Sequence, residues 1–356
     1  ELGEWDNLVA DATIEQADLT LLDYGVQNDG PIRLSLDRRV VGIDQLRLAG
    51  DRTALHLSGA VDLANDQLAL VVEGDANLGI LQGFFQELRG SGDAAVRALV
   101  TGPLAEPALT GETAVSNGRI RHFSLPHGLE AINGRIIFES DGIRFDDVAA
   151  IMGGGPVLIG GRVGLNGFQP EELGVTVSGQ EWQLRWPEGF RSLIDADLEL
   201  LGDVSAPVLA GTVNVRDMVL LDGLDIDTGL FGGGDEEDLV ELLPTTEESG
   251  LPLSFDIRVV APSSLRMTSN TTRVEGSAEL TLRGTLDRPL LFGTAEIERL
   301  EAIVEGTRYR LTYGTIGFSN PTEIEPFLDV EVEADVRVPG QTYRVTVHVT
   351  GTLDRL

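Results

Sequence analysis

Residues 273–297, RVEGSAELTLRGTLDRPLLFGTAEI, decide the fold. In the first half of this stretch apolar or small side chains recur at every second position, and polar side chains lie between them. The first set is Val274, Gly276, Ala278, Leu280 and Leu282, and the second is Glu275, Ser277, Glu279, Thr281 and Arg283. Successive side chains of a strand point to opposite faces, so the pattern predicts a strand with one apolar face and one polar face.

This strand is followed by a turn, Gly284-Thr-Leu-Asp-Arg-Pro289, and we expect the chain to restart a strand at Gly293. The spacing of these residues, Gly-x4-Pro-x3-Gly, is a motif that recurs twice upstream. The three copies are Gly102–Pro107–Gly111, Gly202–Pro207–Gly211 and Gly284–Pro289–Gly293. We therefore interpret the chain as a repeat protein and the three copies as its repeat turns.

Alternation extends to both sides of the motif. It begins upstream at Ile32 and is longest at residues 328–338, and residues 343–349 close the series. Between the strands, residues 308–326 are predicted to be rich in turns. Strict alternation over this many residues indicates long, half-buried strands in an antiparallel sheet.

Two stretches interrupt the strand pattern. In residues 78–90, Leu81, Phe84, Phe85 and Leu88 follow a helical period. A short helix that caps the core is the favoured interpretation, and a plug or a membrane-surface helix is the alternative. Trp182, Trp186 and Pro187 are expected in a short turn or helix that packs over the sheet edge.

Residues 217–257 contain no basic residue and twelve carboxylates, together with a Gly-Gly-Gly run at 232–234. The Asp225–Asp227 and Asp235–Asp238 segments do not supply the ligand spacing of an EF-hand. We favour a solvated insertion between strands over a weak calcium site.

Composition excludes several classes of protein. The net charge is −32, from 58 acidic and 26 basic residues, so nucleic acid would be repelled. The chain has no Cys, which leaves neither disulfides nor thiolate metal sites. No run of 18 apolar residues is present, so no transmembrane helix is predicted. The chain starts without Met and ends within a strand pattern, from which we expect a fragment of a longer protein.

The sequence offers no catalytic motif or metal site. It has four His residues, His56, His122, His127 and His348, and none has a metal-ligand spacing, so all are expected to be ordinary histidines. The Met152-Gly-Gly-Gly-Pro156 segment lacks the Lys and Ser or Thr of a phosphate-binding loop and predicts a turn or a close backbone approach. Carboxylates are spread along the polar faces of strands, which argues against a glycosidase-like pair.

The apolar face of the sheet is then the candidate working surface. Almost no amphipathic helix is available to cover it, so the sheet must cover itself by curling. The face is rich in Val, Leu, Ala and Gly, and an open groove lined in this way could accept acyl chains. The alternative is that the two sides interdigitate into a solid interior.

Three stretches carry a resemblance to a known family: RVEGSAELTLRGTLDRPLLFGTAEI, RYRLTYGTIGFSNPTEIEPFLDVEVEADV and the closing QTYRVTVHVTGTLDR. Residues 251–356 resemble the C-terminal domain of the TamB family, the translocation and assembly module proteins related to AsmA. The similarity continues upstream through VTGPLAEPALTG, GGGPVLIGG and LLGDVSAPVLAGTV.

The resemblance implies a protein of the diderm periplasm, anchored in the inner membrane through a segment absent from this chain. It implies no cofactor and no catalysis. It also implies work with an Omp85-family outer-membrane barrel of the TamA or BamA kind, in outer-membrane protein assembly or autotransporter secretion, and phospholipid movement between membranes.

We therefore predict an all-β fold: an elongated, mostly antiparallel sheet curled into a half-pipe, or β-taco, with an apolar groove and a few short helices. The predicted organisation is a repetitive segment at 1–216, an acidic flexible insertion at 217–250 and a TamB-like segment at 251–356. The groove lining expected to contact phospholipid acyl chains is Leu280, Leu282, Val330, Val332, Val336, Val345 and Val347. The alternatives are a β-solenoid adhesin or passenger domain with a solid core, and a carbohydrate-active β-helix enzyme.

Overall fold

The fold is almost entirely β-structure. The structure, a computed structural model, describes residues 8–21, 24–83, 87–123, 127–185, 190–220, 252–268, 272–304 and 306–352. The chain forms two compact units. Unit 1 comprises Glu1–Met152, Pro156–Val177 and Gly202–Ser205, and unit 2 comprises Gly153–Gly155, Ser178–Leu201 and Ala206–Leu356.

Unit 1 holds the first eleven strands, nearly all of the twelfth and the start of the thirteenth. They are β1 (Val9–Ile14), β2 (Asp18–Leu21), β3 (Tyr24–Asn28), β4 (Ile32–Asp37), β5 (Val40–Gly50), β6 (Thr53–Asp62), β7 (Gln67–Asn77), β8 (Leu88–Gly102), β9 (Ala108–His122), β10 (Leu129–Glu139), β11 (Gly142–Met152), β12 (Gly155–Asn166) and β13 (Gln169–Leu184). One 3₁₀ helix, Leu78–Gly83, lies between β7 and β8.

The strands of unit 1 pair as an antiparallel meander. β1 pairs with β4 and β2 with β3, and β5 pairs with both β3 and β4, so the first four strands form two interrupted long strands. Each strand from β5 to β10 then pairs antiparallel with the next. Short hairpin connections favour this neighbour-to-neighbour order.

The sheet of unit 1 curls. A Cβ atom on Gly167, in the β12–β13 turn, would lie 3.8 Å from Pro107 Cδ, at the β8–β9 turn. In a flat sheet these turns would be about 19 Å apart, because neighbouring strands are about 4.8 Å apart. The curl supplies the cover that the sequence lacks in helices.

Unit 2 holds most of β14 and all later strands. They are β14 (Phe190–Asp203), β15 (Val208–Leu220), β16 (Ser254–Thr268), β17 (Thr272–Thr285), β18 (Pro289–Val304), β19 (Thr307–Phe318), β20 (Pro326–Val338) and β21 (Gln341–Thr352). Each strand from β14 to β20 pairs with the next, and all of these pairs are antiparallel except β15 and β16, which are parallel. The last residue of β15 and the first residue of β16 therefore lie at opposite ends of this strand pair.

The repeat motif places its glycines in left-handed conformations. The first glycine of each copy ends or nearly ends a strand, with φ of 100° at Gly102, 97° at Gly202 and 83° at Gly284. The last glycine lies inside the next strand, with φ of 136° at Gly111, 134° at Gly211 and 122° at Gly293. Only glycine adopts such angles without strain, which explains why both positions of the motif are glycine.

The proline of the motif lies just before or at the start of the next strand, where no ladder donor is needed. Pro107 precedes β9, Pro207 precedes β15 and Pro289 begins β18. In the second copy the Ser205 hydroxyl and amide donate to Asp203 Oδ1 at 2.5 and 2.7 Å. These two hydrogen bonds hold the pKa of Asp203 below its usual value.

The prediction of an all-β, mostly antiparallel fold is confirmed, and four local expectations are wrong. The helix expected over 78–90 is a 3₁₀ helix at Leu78–Gly83, and Leu88 already begins β8. Gly79 and Gly83 disfavour an α-helix here. Trp182 lies inside β13 and is only 2% exposed. Residues 308–326, predicted to be rich in turns, contain most of strand β19, which pairs with β18 on one side and with β20 on the other. The strand after the third turn starts at Pro289, four residues before Gly293, because the glycine is accommodated within the ladder.

Other expectations lie partly or wholly outside the described residues. Phe84, Phe85, Trp186, Pro187 and the Asp225–Asp238 carboxylates belong to them. The first four residues of the acidic segment, 217–220, are the end of β15. The segment boundaries at 216 and 250 stay a prediction.

Candidate functional site: an apolar sheet face

The seven residues predicted to line a groove lie on one face of unit 2. Ala278 is paired with Ala295, Ala295 with Ile316, and Ile316 with Leu328. Directly paired residues share a face, so the alternate positions of β17 and β20 face the same way. Val332 is paired with Val347 and Ala334 with Val345, which extends the face to β21.

The seven predicted side chains differ widely in their exposure to solvent. Val332 is 3% exposed and Val345 is 37% exposed. The other five predicted residues are half-buried: Leu280, Leu282, Val330, Val336 and Val347. Partial exposure of this many aliphatic side chains leaves apolar surface in contact with solvent.

Small side chains are among the most buried members of the face. Ala261 is 1% exposed, Ala302 3%, Ala334 4% and Ala278 6%. Larger side chains surround them in register: Ile257 is paired with Leu282, and Val259 with Leu280. Alanines thus form a buried floor between larger aliphatic side chains on this face.

Some residues of the face were missed by sequence reasoning. Ile316 and Phe318 belong to it, as partners of Ala295 and Gly293. The Gly, Tyr and Thr content of 308–318 conceals its alternation, so only the register reveals the strand. Ile257 and Val259 carried a usable signal, because they alternate with polar residues in the sequence.

The opposite face of unit 2 holds the carboxylates, many of them in exposed cross-strand ion pairs. Arg299 is 3.3 Å from Glu275, Arg283 is 3.5 Å from Asp256, and Arg258 is 3.7 Å from Glu279. His348 Nε2 is 2.7 Å from Asp329 Oδ1. Such pairs contribute little individually, and they account for the polar residues as a solvated surface.

Within the described ranges, no group of three or more His, Asp or Glu side chains is placed to hold a metal ion. His122 lies 3.3 Å from Glu87, while His56 is exposed on β6. No helix among the described residues is long and apolar enough to cross a membrane.

Unit 1 carries an apolar face of the same kind. Leu57, Val72, Ala98 and Gly111 form one cross-strand row from β6 to β9. Its most buried members include small or β-branched residues: Ala94, Ala98, Val115, Ile132, Val148, Ala150 and Val157. Both units thus present an aliphatic face with few aromatic side chains.

Comparison with known proteins places the chain in a family. The sequence model of the TamB C-terminal domain matches residues 146–356, which is well over half of the chain. The match covers all of unit 2 from β14 onward. No curated protein matches the chain.

Proposed function

This chain belongs to the TamB family, and on that premise we propose that it is a non-enzymatic scaffold whose apolar sheet face shields or conducts phospholipid acyl chains. TamB proteins act generally in outer-membrane protein assembly and lipid transport. The observation that carries the proposal is the continuous apolar face of unit 2, on which cross-strand pairing gathers all seven predicted residues.

Acyl chains suit this face chemically. Burial of one CH₂ group contributes about 0.8 kcal/mol, so a lipid chain gains affinity from length and needs no specific polar partner. The alanine floor allows close approach, while the acidic opposite face keeps the chain soluble at a net charge of −32. Nascent outer-membrane strands are a second apolar cargo that the same surface would shield.

The proposed setting follows the family. The chain would work in the periplasm of a diderm bacterium, in a protein anchored in the inner membrane. Its outer-membrane partner would be an Omp85-family barrel of the TamA or BamA kind. We assign neither the anchor nor the barrel contact to residues of this chain. An adhesin or passenger domain with a solid core is not favoured, because the family match points to envelope assembly.

Site-specific photocrosslinking tests the lipid contact. We expect a photoreactive amino acid at Leu280, Val332 or Val347 to give phospholipid adducts in cells, because these side chains lie on the apolar face. The matched controls are Glu279 and Glu331, each adjacent in sequence and on the opposite face. Equal adducts at both sets, or none at either, would sink the proposal.

A substitution tests whether the contact matters. Val332→Asp places a carboxylate at a position that is 3% exposed, and we expect it to block lipid transfer. The control is Glu331→Asp, which keeps the polar character of the opposite face. Circular dichroism of both variants checks that the strands still form, and unchanged lipid flux in cells carrying Val332→Asp would contradict the prediction.

A further inference from the structure

Two glycines of unit 1 form a seat for Leu78, the first residue of the 3₁₀ helix. A Cβ atom on Gly118 would lie 2.9 Å from Leu78 Cδ1, 2.9 Å from Val115 Cγ1 and 3.1 Å from Ile132 Cβ. A Cβ atom on Gly90 would clash with the Leu78 carbonyl oxygen and lie 3.4 Å from Leu78 Cβ. Neither glycine has a positive φ, so close approach of the 3₁₀ helix accounts for both.

The seat lies on the apolar face of unit 1. Gly118 is paired with Ile132, and Ala94 with Val115. Val115 and Ile132 are 6% and 5% exposed, and Leu78 above them is 8% exposed. Leu78 therefore occupies apolar space that an acyl chain on this face would need.

Hydrogen bonds link Asn77, the residue before the helix, to Thr53 on the neighbouring strand β6 and through it to Tyr24 on β3. The Asn77 amide donates to Thr53 Oγ1 at 2.9 Å, and the Gly79 amide donates to Asn77 Oδ1 at 2.9 Å. Thr53 Oγ1 also bonds the Tyr24 hydroxyl, which donates to the Asp51 carbonyl at 2.9 Å. A Cβ atom on Gly79 would lie 3.1 Å from Tyr24 Cδ2, so the helix reaches from β8 and β9 to the start of β3.

One atom of this helix is poorly accommodated. Gln82 Oε1 is buried and has no hydrogen-bond partner among the described residues. A buried acceptor without a donor costs free energy relative to its hydrated state. The helix thus combines a fitted apolar contact at Leu78 with a polar group that favours its release.

We infer that Leu78–Gly83 is a strap that closes the apolar face of unit 1 and competes with an apolar ligand for it. The inference rests on the proposed function, since it assigns the strap as a regulator of the same kind of face. An acyl chain that binds there must displace Leu78, and a strap held more firmly must weaken acyl binding by the same factor.

Photolabelling of the full chain with a stearic acid that carries a mid-chain diazirine tests the strap. We expect Leu78→Ala to raise adducts on peptides from residues 111–136 at least fivefold over the unsubstituted chain, since it uncovers Val115 and Ile132. Gly118→Ala should act in the same direction, because the added methyl pushes Leu78 away. Gln82→Leu removes the unpaired amide and should lower the adducts at least twofold.

Leu99→Ala is the matched control, because Leu99 is 40% exposed on the opposite face of β8; it should leave labelling unchanged. Circular dichroism confirms that each variant keeps its strands. If unit 2 is labelled but neither Leu78→Ala nor Gly118→Ala raises the adducts on residues 111–136, the strap alone is overturned. Absence of adducts from both units in every variant overturns the proposed function and the strap with it.

Discussion

At the residue scale, the last glycine of the repeat motif marks where one strand presses on the backbone of its neighbour. A Cβ atom on Gly293 would clash with the Glu279 carbonyl oxygen and lie 3.0 Å from Leu280 Cα. Gly111 and Gly211 meet their neighbours in the same way, with 2.8 Å to Ala98 Cα and 2.9 Å to Leu198 Cα. The motif therefore indicates a close backbone contact between neighbouring strands as well as a turn.

We expect Gly293→Ala to destabilise unit 2 by at least about 2 kcal/mol, because it adds steric overlap to an unfavourable φ. The free energy of unfolding is measured by urea denaturation. Gly317→Ala is the matched control, because Gly317 lies in the adjacent strand with its nearest atom 4.0 Å away and without a positive φ. It should change stability by less than about 1 kcal/mol. Equal losses in the two variants would show that the backbone contact is unimportant.

The sequence predicted these glycine positions by spacing, but it did not predict the bulges. Asn117, Ala131, Asp147, Glu181 and Ser263 have φ between 48° and 59° inside strands. Non-glycine residues adopt this conformation only where the surrounding ladder imposes it. At Asn117 the backbone amide donates to Asn133 Oδ1 at 3.0 Å. Such support comes from another strand, so no local pattern could have shown it.

At the scale of elements, the parallel pair β15–β16 is the exception in the ladder. Its register skips between Asn214 and Met218, opposite Val260 and Leu265. Within this gap the Ser264 hydroxyl donates to the Val215 carbonyl at 2.6 Å, and Ser264 is 5% exposed. A side chain thus replaces the backbone donor that the ladder lacks there.

We expect Ser264→Ala to lower the free energy of unfolding by about 1–3 kcal/mol, because it leaves the Val215 carbonyl buried without its donor. The measurement is urea denaturation followed by tryptophan fluorescence. Ser263→Ala serves as control, since its hydroxyl makes an exposed bond of 2.7 Å to Glu298. Both Ser and Ala carry a Cβ atom, so the backbone strain from the positive φ at position 263 is the same with either residue. A larger loss at Ser263 than at Ser264 would refute this account.

The strands were largely predictable, because alternation specifies both a strand and its buried face. The candidate face was predictable from the same alternation. Leu280 and Val332 belong to different strands, and the register of the strands between them places both side chains on one face of the sheet. The parallel orientation was not predictable, because β15 and β16 each alternate as an antiparallel strand does. Exposure along the face was not predictable either, since Val332 and Val345 are the same residue type in similar patterns.

At the scale of the whole molecule, the net charge is expected to affect the free energy of unfolding. The effect is summed over many carboxylates and does not depend on any single contact. The chain has 58 acidic and only 26 basic residues, so carboxylates outnumber arginines by more than two to one. The arginines that do pair are mainly exposed, and each such pair contributes at most about 1 kcal/mol. We therefore expect repulsion among the excess carboxylates to outweigh the ion pairs.

We predict that salt stabilises this protein. Raising NaCl from about 10 mM to about 300 mM shortens the screening length from about 30 Å to below about 8 Å. Repulsion across several strands is then removed, whereas pairs such as Arg135–Asp146, 2.6 Å apart, lose less. The first unfolding transition, followed by circular dichroism, should rise by at least about 3 °C.

The sign of this shift separates the two electrostatic contributions. If the cross-strand ion pairs dominated, screening would lower the transition temperature instead. Neutralisation on one strand sharpens the test: Glu331→Gln combined with Glu333→Gln removes two excess negative charges from the polar face of β20, and it should reduce the salt-dependent rise. Asp146→Asn removes the β11 partner of Arg135 on β10. If the net charge dominates, this variant should also reduce the salt-dependent rise; a larger rise would show that the ion pair matters more.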